Sequence, residues 1–158
     1  MEKEIAGYDF SIKRLIRIFF LTIQAWPIWP GKVRAIFLRL GGIQIEMPTF
    51  VGSGVYFDTL RPDYIIIGKG AVITAGTRIL THYFSPNDGY YYFGRVKIGQ
   101  DCFIGVNTLI VNSVIIGNKA VIGAGSVVTK DIPGGEVWAG NPAHFIRKRE
   151  LPINRSFK

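Results

Sequence analysis

The sequence predicts an all-β solenoid of about four coils, and three observations carry that prediction. Aliphatic residues recur every six positions without a slip, from Ile98 through Ile104, Ile110, Ile116 and Ile122 to Val128. Glycine follows four of them, as Gly99, Gly105, Gly117 and Gly123. A compact residue stands two positions before each later aliphatic: Cys102, Thr108, Val114, Ala120 and Ser126. A period of six is a multiple of the strand period of two and fits poorly with a helical turn of 3.6, so the repeat encodes short strands. One such unit cannot bury its own face, and stacking many side by side solves that problem. Three hexads make one triangular coil, and the glycine after each aliphatic is expected to supply a positive-φ corner between flat faces.

The register extends backwards. Ile67, Ile73 and Ile79 form an earlier coil with Ala71 and Thr77 at the compact position; Ile45, Val51 and Phe57 form the first, with Thr49 and Val55. If the coils stack this way, Phe57 lies against Ile79. The count is interrupted twice, between Phe57 and Ile67 and again at residues 82–95. Pro86-Asn87-Asp88-Gly89 is a turn signal, so a loop covering about 83–95 is expected to leave the prism. Its aromatics, among them Tyr83, Tyr91 and Tyr92, lack core periodicity and suit either a packed loop or a platform for a sugar ring.

Residues Met1 to Tyr8 are polar and aperiodic. From Ser11, a candidate N-cap, the spacing of Ile12, Leu15, Ile16, Phe19, Phe20 and Ile23 predicts a helix carrying Lys13, Arg14 and Arg17. Trp26, Pro27, Trp29 and Pro30 break it, and Lys32 to Leu40 form a second helix ending at Gly41. Two readings stand for this segment: a cap over the open end of the solenoid, or a basic amphipathic surface resting peripherally on an anionic membrane. It is too short and too charged to span a membrane, and it lacks a signal-peptide cleavage site. The chain thus divides into an N-terminal helical segment (1–44), the β-helix (45–140) and a C-terminal segment (141–158) in which Pro142 starts a short helix, followed by a basic tail.

At 158 residues the chain has the length of one domain. Its net charge of +8 suits nucleic acid, an anionic membrane or a polyphosphorylated ligand without choosing among them, and no nucleic-acid recognition motif accompanies it. A single cysteine permits no internal disulfide, which fits a reducing, cytoplasmic setting. Cys102 occupies the compact wall position, where packing competes with the alternative of a reactive thiol.

The repeat, together with Ala124-Gly125-Ser126-Val127-Val128-Thr129-Lys130-Asp131-Ile132-Pro133 and Ala139-Gly140-Asn141-Pro142-Ala143, closely resembles the hexapeptide-repeat acyltransferases. The resemblance implies a left-handed parallel β-helix, a homotrimer, acetyl-CoA as cosubstrate and no metal. The segment from Phe57-Asp58 through Thr81-His82 to Tyr92-Phe93-Gly94 looks most like bacterial O-acetyltransferases acting on capsular, exopolysaccharide or lipopolysaccharide sugars. In galactoside and maltose acetyltransferases the catalytic histidine follows an aromatic-Ile-Gly motif, where this chain has Phe103-Ile104-Gly105-Val106-Asn107. Asn107 cannot act as a base. In the streptogramin-type branch the histidine precedes an extended loop, as His82 does here.

Acetyl transfer to an alcohol needs the hydroxyl proton removed as oxygen attacks, work that suits histidine. Of the two histidines, His144 lies beyond the last hexad, leaving His82 as the candidate general base. The coil register puts Asp58 one coil from His82, which makes it a candidate orienter, or else a turn cap. Asn107, Asn112 or a backbone N–H is the candidate oxyanion donor. The resemblance implies that the pantetheine arm runs near Ala124, Thr129 and Lys130, with Arg147 toward the phosphates, and Asn107 is counted with these as a cofactor-binding candidate; Lys148 and Arg149 read as a solvated tail. An amino-sugar or nucleotide-sugar acceptor and a non-catalytic scaffold remain the alternatives. A zinc carbonic anhydrase needs more histidines on the coils than this chain has, and serine acetyltransferases carry a large N-terminal helical domain that these residues do not accommodate.

Overall fold

The computed structural model describes residues 2–4, 11–111 and 113–150. After strand β1 (Glu2–Glu4) come helices α1 (Ile12–Ile23) and α2 (Gly31–Leu40), and then the solenoid begins. Its first coil is β2 (Gln44–Ile45), β3 (Phe50–Val51) and β4 (Tyr56–Phe57); a 3-10 turn at Pro62–Tyr64 leads into the second, β5 (Ile65–Ile67), β6 (Val72–Ile73) and β7 (Arg78–Ile79). A hairpin, β8 (His82–Ser85) and β9 (Tyr90–Phe93), then interrupts the stack. The third coil is β10 (Val96–Ile98), β11 (Phe103–Ile104) and β12 (Leu109–Ile110), and the fourth β13 (Ile115–Ile116), β14 (Val121–Ile122) and β15 (Val127–Val128). The chain ends in β16 (Glu136–Gly140) and β17 (Ala143–Lys148).

Strands of successive coils pair in parallel and make three walls of a left-handed β-helix. The first wall is β2-β5-β10-β13, the second β3-β6-β11-β14-β16-β17, and the third β4-β7-β12-β15. The register is the one the hexads encode: Ile45 beside Ile67, Ile98 and Ile116; Val51 beside Ile73, Ile104 and Ile122; Phe57 beside Ile79, Ile110 and Val128. All of these side chains point inward and, apart from Ile45 at the open end, are essentially inaccessible to solvent. Full burial of one such aliphatic side chain is worth about 1.5–3 kcal/mol. The compact positions line the same interior, including Cys102, whose thiol lies 3.0 Å from the Gly117 carbonyl oxygen. Burial pushes that thiol above its ordinary pKa, the condition of an inert packing cysteine. A partial fifth coil follows, with Ile132 bridging to Ile116 and Trp138 beside Ile122.

The glycine after each aliphatic has a different task from the expected one. The positive-φ corners fall two residues later, at Asp101, Asn107, Ser113, Lys119 and Gly125. Gly105 is instead required by close approach: a Cβ there would sit 2.4 Å from the backbone nitrogen of Ala124 on the next coil.

The helices pack across the first coil. Ser11 caps α1 by accepting from the Arg14 N–H, and α2 buries Gly31, Arg34, Ala35 and Leu38. The Arg34 guanidinium donates to the carbonyls of Gln24, Trp26 and Val51, and Gln24 Nε2 donates to those of Leu21 and Val55. The C-terminal turn of α1 is thereby tied both to α2 and to the coil. Burial lowers the pKa of Arg34 from its ordinary value.

Two segments depart from expectation. Residues 143–148 form a strand and not a helix: β14 leaves an open ladder, β16 fills it in parallel, and β17 closes β16 in antiparallel. Phe145 meets Trp138 edge-on at 6.4 Å across that pair, and aromatic and β-branched residues favour strand over helix where a ladder is on offer. Nor is Arg149 a solvated tail; its guanidinium donates to the carbonyls of Asp101 and Lys119 at 2.9 Å each. The remainder of the expected tail, residues 151–158, lies outside the described residues. At the other terminus, residues 2–4 pair antiparallel with β9, a strand too short to leave a periodic signal.

Candidate active site

The site forms at the corner where the chain passes from the third wall back to the first. Asp58 leaves β4 there and His82 leaves β7 one coil on, because the Asp58 N–H continues the ladder to the carbonyl of Ile79. The Asp58 carboxylate is completely buried. Its Oδ2 accepts from the Thr81 N–H and the Thr81 hydroxyl, both at 2.8 Å, and stands 2.5 Å from His82 Nδ1. Its Oδ1 accepts from the Leu60 N–H at 3.0 Å. Turn cap and histidine partner, alternatives in the sequence, are thus one residue using its two oxygens. Four donors converge on the buried group, as an interior carboxylate requires.

A carboxylate offers only lone pairs, so imidazole must donate from Nδ1 and keep its acceptor lone pair on Nε2. Nε2 has no hydrogen bond among the described residues, and the His82 side chain is about one quarter exposed. Chemically, the arrangement can hold a neutral imidazole in one tautomer, with Nε2 as its accepting nitrogen. Thr81 is the member that sequence reasoning passed over; a hydroxyl immediately before His82 was the available signal.

The hairpin sorts its aromatics by face. His82 pairs with Phe93 and Phe84 with Tyr91, and strand alternation places these four on one side. The His82 ring centroid lies 5.7 Å from Tyr91 and 5.9 Å from Phe93. Tyr83 and Tyr92 stack on each other at 5.3 Å on the opposite side. Of the three tyrosines singled out in the sequence, only Tyr91 shares the face of His82.

The cosubstrate candidates are also divided. Thr129 and Lys130 leave β15 at the same corner as His82, two coils or about 10 Å along the axis. Both are exposed, with Lys130 Nζ 5.2 Å from the centre of the Trp138 ring. Asn107 and Ala124 occupy the corner between the second and third walls, across the third wall from His82, and Arg147 is exposed on β17. One copy of the chain therefore does not gather all of them around His82. Asn112 lies outside the described residues. Among the described residues no cluster of three or more His, Cys, Asp or Glu is arranged to hold a metal ion.

A hexapeptide-repeat β-helix carrying a buried aspartate against a part-exposed histidine at an interrupted corner defines a class, and comparison with known proteins gives its chemistry. Residues 95–130 match the family model described as the hexapeptide repeat of succinyl-transferase. A provisionally named acetyltransferase of Bacillus subtilis (strain 168), YvoF, is 39% identical over 133 residues, spanning 83% of this chain and 76% of that protein. A maltose O-acetyltransferase from Clostridium difficile 630 superposes with a TM-score of 0.68 at 26% identity, covering 88% of this chain and 87% of the other. A galactoside acetyltransferase in complex with coenzyme A superposes with a TM-score of 0.67 at 25% identity, covering 90% and 86%. The chain belongs to the hexapeptide-repeat acetyltransferases.

Proposed function

We propose that the protein transfers an acetyl group from acetyl-CoA to a sugar hydroxyl of a bacterial surface polysaccharide or its precursor, with His82 as general base and Asp58 as its positioning residue. The observation that carries this reading is the 2.5 Å contact between His82 Nδ1 and the buried Asp58 Oδ2. The sugar hydroxyl oxygen attacks the thioester carbonyl carbon while Nε2 takes its proton. The tetrahedral intermediate collapses with loss of the C–S bond, and the imidazolium returns the proton to the departing thiolate of CoA. Asp58 keeps Nδ1 as donor throughout and stabilises the imidazolium when it forms. The names of the structural neighbours, maltose and galactoside acetyltransferases, support a sugar acceptor, and coenzyme A in the second supports the donor. Tyr91 beside His82 offers a sugar-sized aromatic face.

The working unit in this proposal is a homotrimer with each site between neighbouring copies. The outward residues of the second wall support it: Phe50, Val72, Phe103, Val121 and Val137 stand in register as an unbroken apolar ladder. The outward residues of the other walls include Lys97 and Arg78. Each of those rows is interrupted by a cation, Lys97 between Ile66 and Ile115 and Arg78 between Tyr56 and Leu109, and an apolar row without such a break is what a self-contact buries. Assembly would bring the Asn107 and Ala124 corner of one copy to the His82 corner of the next, with Thr129, Lys130 and Arg147 toward the nucleotide end of acetyl-CoA.

Calorimetric titration with acetyl-CoA, followed by acetyl transfer to a panel of sugars, tests the reading. Saturable binding at about one per chain and ester formation are expected; a folded trimer that binds no acetyl-CoA at millimolar ligand would make the protein a scaffold.

A further inference from the structure

Helix α1 is mounted inside out. At 100° per residue, Ile12, Leu15, Ile16, Phe19 and Ile23 fall on one stripe. That stripe faces away from the protein: Ile12 is 76% exposed, Leu15 57%, Ile16 50% and Phe19 56%. The opposite side, with Leu21 and Gln24, is the one buried on α2 and the first coil. An ordinary surface helix does the reverse, so something other than the core accounts for this stripe. The outward side of α2 continues the pattern with Ile36 and Leu40 exposed, and Trp26 and Ile28 project from the turn between the helices.

Charge identifies the occupant. Between Ser11 and Ile45 the chain carries Lys13, Arg14, Arg17, Lys32, Arg34 and Arg39 and no acidic residue. Arg34 is consumed by backbone carbonyls, whereas Lys13, Arg17, Lys32 and Arg39 are exposed. A second copy of the same chain would bring like charges together at this face and already has the uncharged ladder of the second wall to meet. A lipid surface with anionic headgroups answers both the apolar stripe and the cations around it. No helix among the described residues is long and apolar enough to cross a membrane, and α1, at about 18 Å, is suited to lying in the interface. We infer that residues 12–40 form a platform that docks the enzyme flat on an anionic membrane, with Ile12, Leu15, Ile16, Phe19 and Trp26 inserted among the headgroups. This inference stands independently of which acceptor the enzyme uses.

Sedimentation of the full chain with phosphatidylcholine vesicles, with and without phosphatidylglycerol, tests it. The protein is expected to pellet with the anionic vesicles, less as salt rises, and little with phosphatidylcholine alone. The double variant Ile16→Glu with Phe19→Glu should lose about tenfold or more in partitioning while its circular dichroism and melting stay unchanged. Lys13→Gln with Arg39→Gln should weaken partitioning several-fold. Failure to pellet with anionic vesicles, or an unaltered partition in the Glu double variant, overturns the platform. A change in particle mass for that variant in ultracentrifugation, without vesicle binding, overturns it too and assigns the face to another copy.

Discussion

The corner between the second and third walls and the corner between the third and first belong to the same prism and behave oppositely. At the former the chain turns the same way in each coil, through Gly52-Ser53-Gly54, Thr74-Ala75-Gly76, Gly105-Val106-Asn107 and Gly123-Ala124-Gly125. The third residue takes positive φ every time, and its N–H donates to the coil before, from Gly76 to Ser53, Asn107 to Ala75 and Gly125 to Val106. At the latter the chain makes a 3-10 turn after the first coil and a hairpin after the second. Stacking dictates the regular corner, because each turn is the template of the next. The irregular corner is released from that constraint by its insertions, and there a carboxylate, a hydroxyl and an imidazole from two coils come together.

The largest effect that would sharpen this contrast is at the irregular corner. His82→Ala should lower turnover by about two to four orders of magnitude with acetyl-CoA affinity nearly intact, as read by initial rates and calorimetry. Near-normal turnover would remove His82 from the role of base. Asp58→Asn comes next, with a turnover loss of about a hundredfold, since the amide can present the wrong partner to Nδ1. Its unfolding free energy in urea titration should also fall, by about 1–3 kcal/mol, because Thr81 and Leu60 lose part of their acceptor. Full stability with lost turnover would make Asp58 purely a positioning residue.

At the regular corner the expected effects are on stability. Gly105→Ala forces a methyl against the Ala124 backbone and should cost about 3 kcal/mol, whereas Gly125→Ala, at φ +68 with nothing within 4 Å, should cost about 1 kcal/mol from conformation alone. Thermal melting of the pair separates close approach from backbone strain; equal losses would break the distinction. Cys102→Ser should be smallest, under about 1 kcal/mol, because Thr49 already holds a buried hydroxyl at the equivalent position of the same wall, donating to the Glu46 carbonyl at 2.6 Å.

Much of the fold was legible in the residues. The hexad columns predicted the wall pairings among the four coils, since inward aliphatics at fixed spacing allow only one stacking register. The same count made Asp58 a candidate partner of His82, because Phe57 beside Ile79 carries the next residues to one corner, but left a turn cap as the alternative. The aromatic loop was legible only as an excursion, and its sorting into two faces depended on hairpin register. The C-terminal strand was misread because Pro142 before a basic, mixed segment signals a helix locally, while the open edge of β14 that recruits it is invisible in the chain.

The sequence by itself determined what repeats: strand period, interior columns, compact walls and the places where the count breaks. These are local properties, each hexad satisfied by a copy of itself. Only the tertiary structure decided what one residue does for a distant one. It assigned the glycines after each aliphatic to backbone clearance, gave Thr81 its hold on Asp58, put Tyr91 but not Tyr83 on the face of His82, and turned the apolar stripe of α1 outward. Amphipathicity fixes that a helix has two faces; which face meets the protein depends on the partners that Arg34 and Gln24 find across the fold.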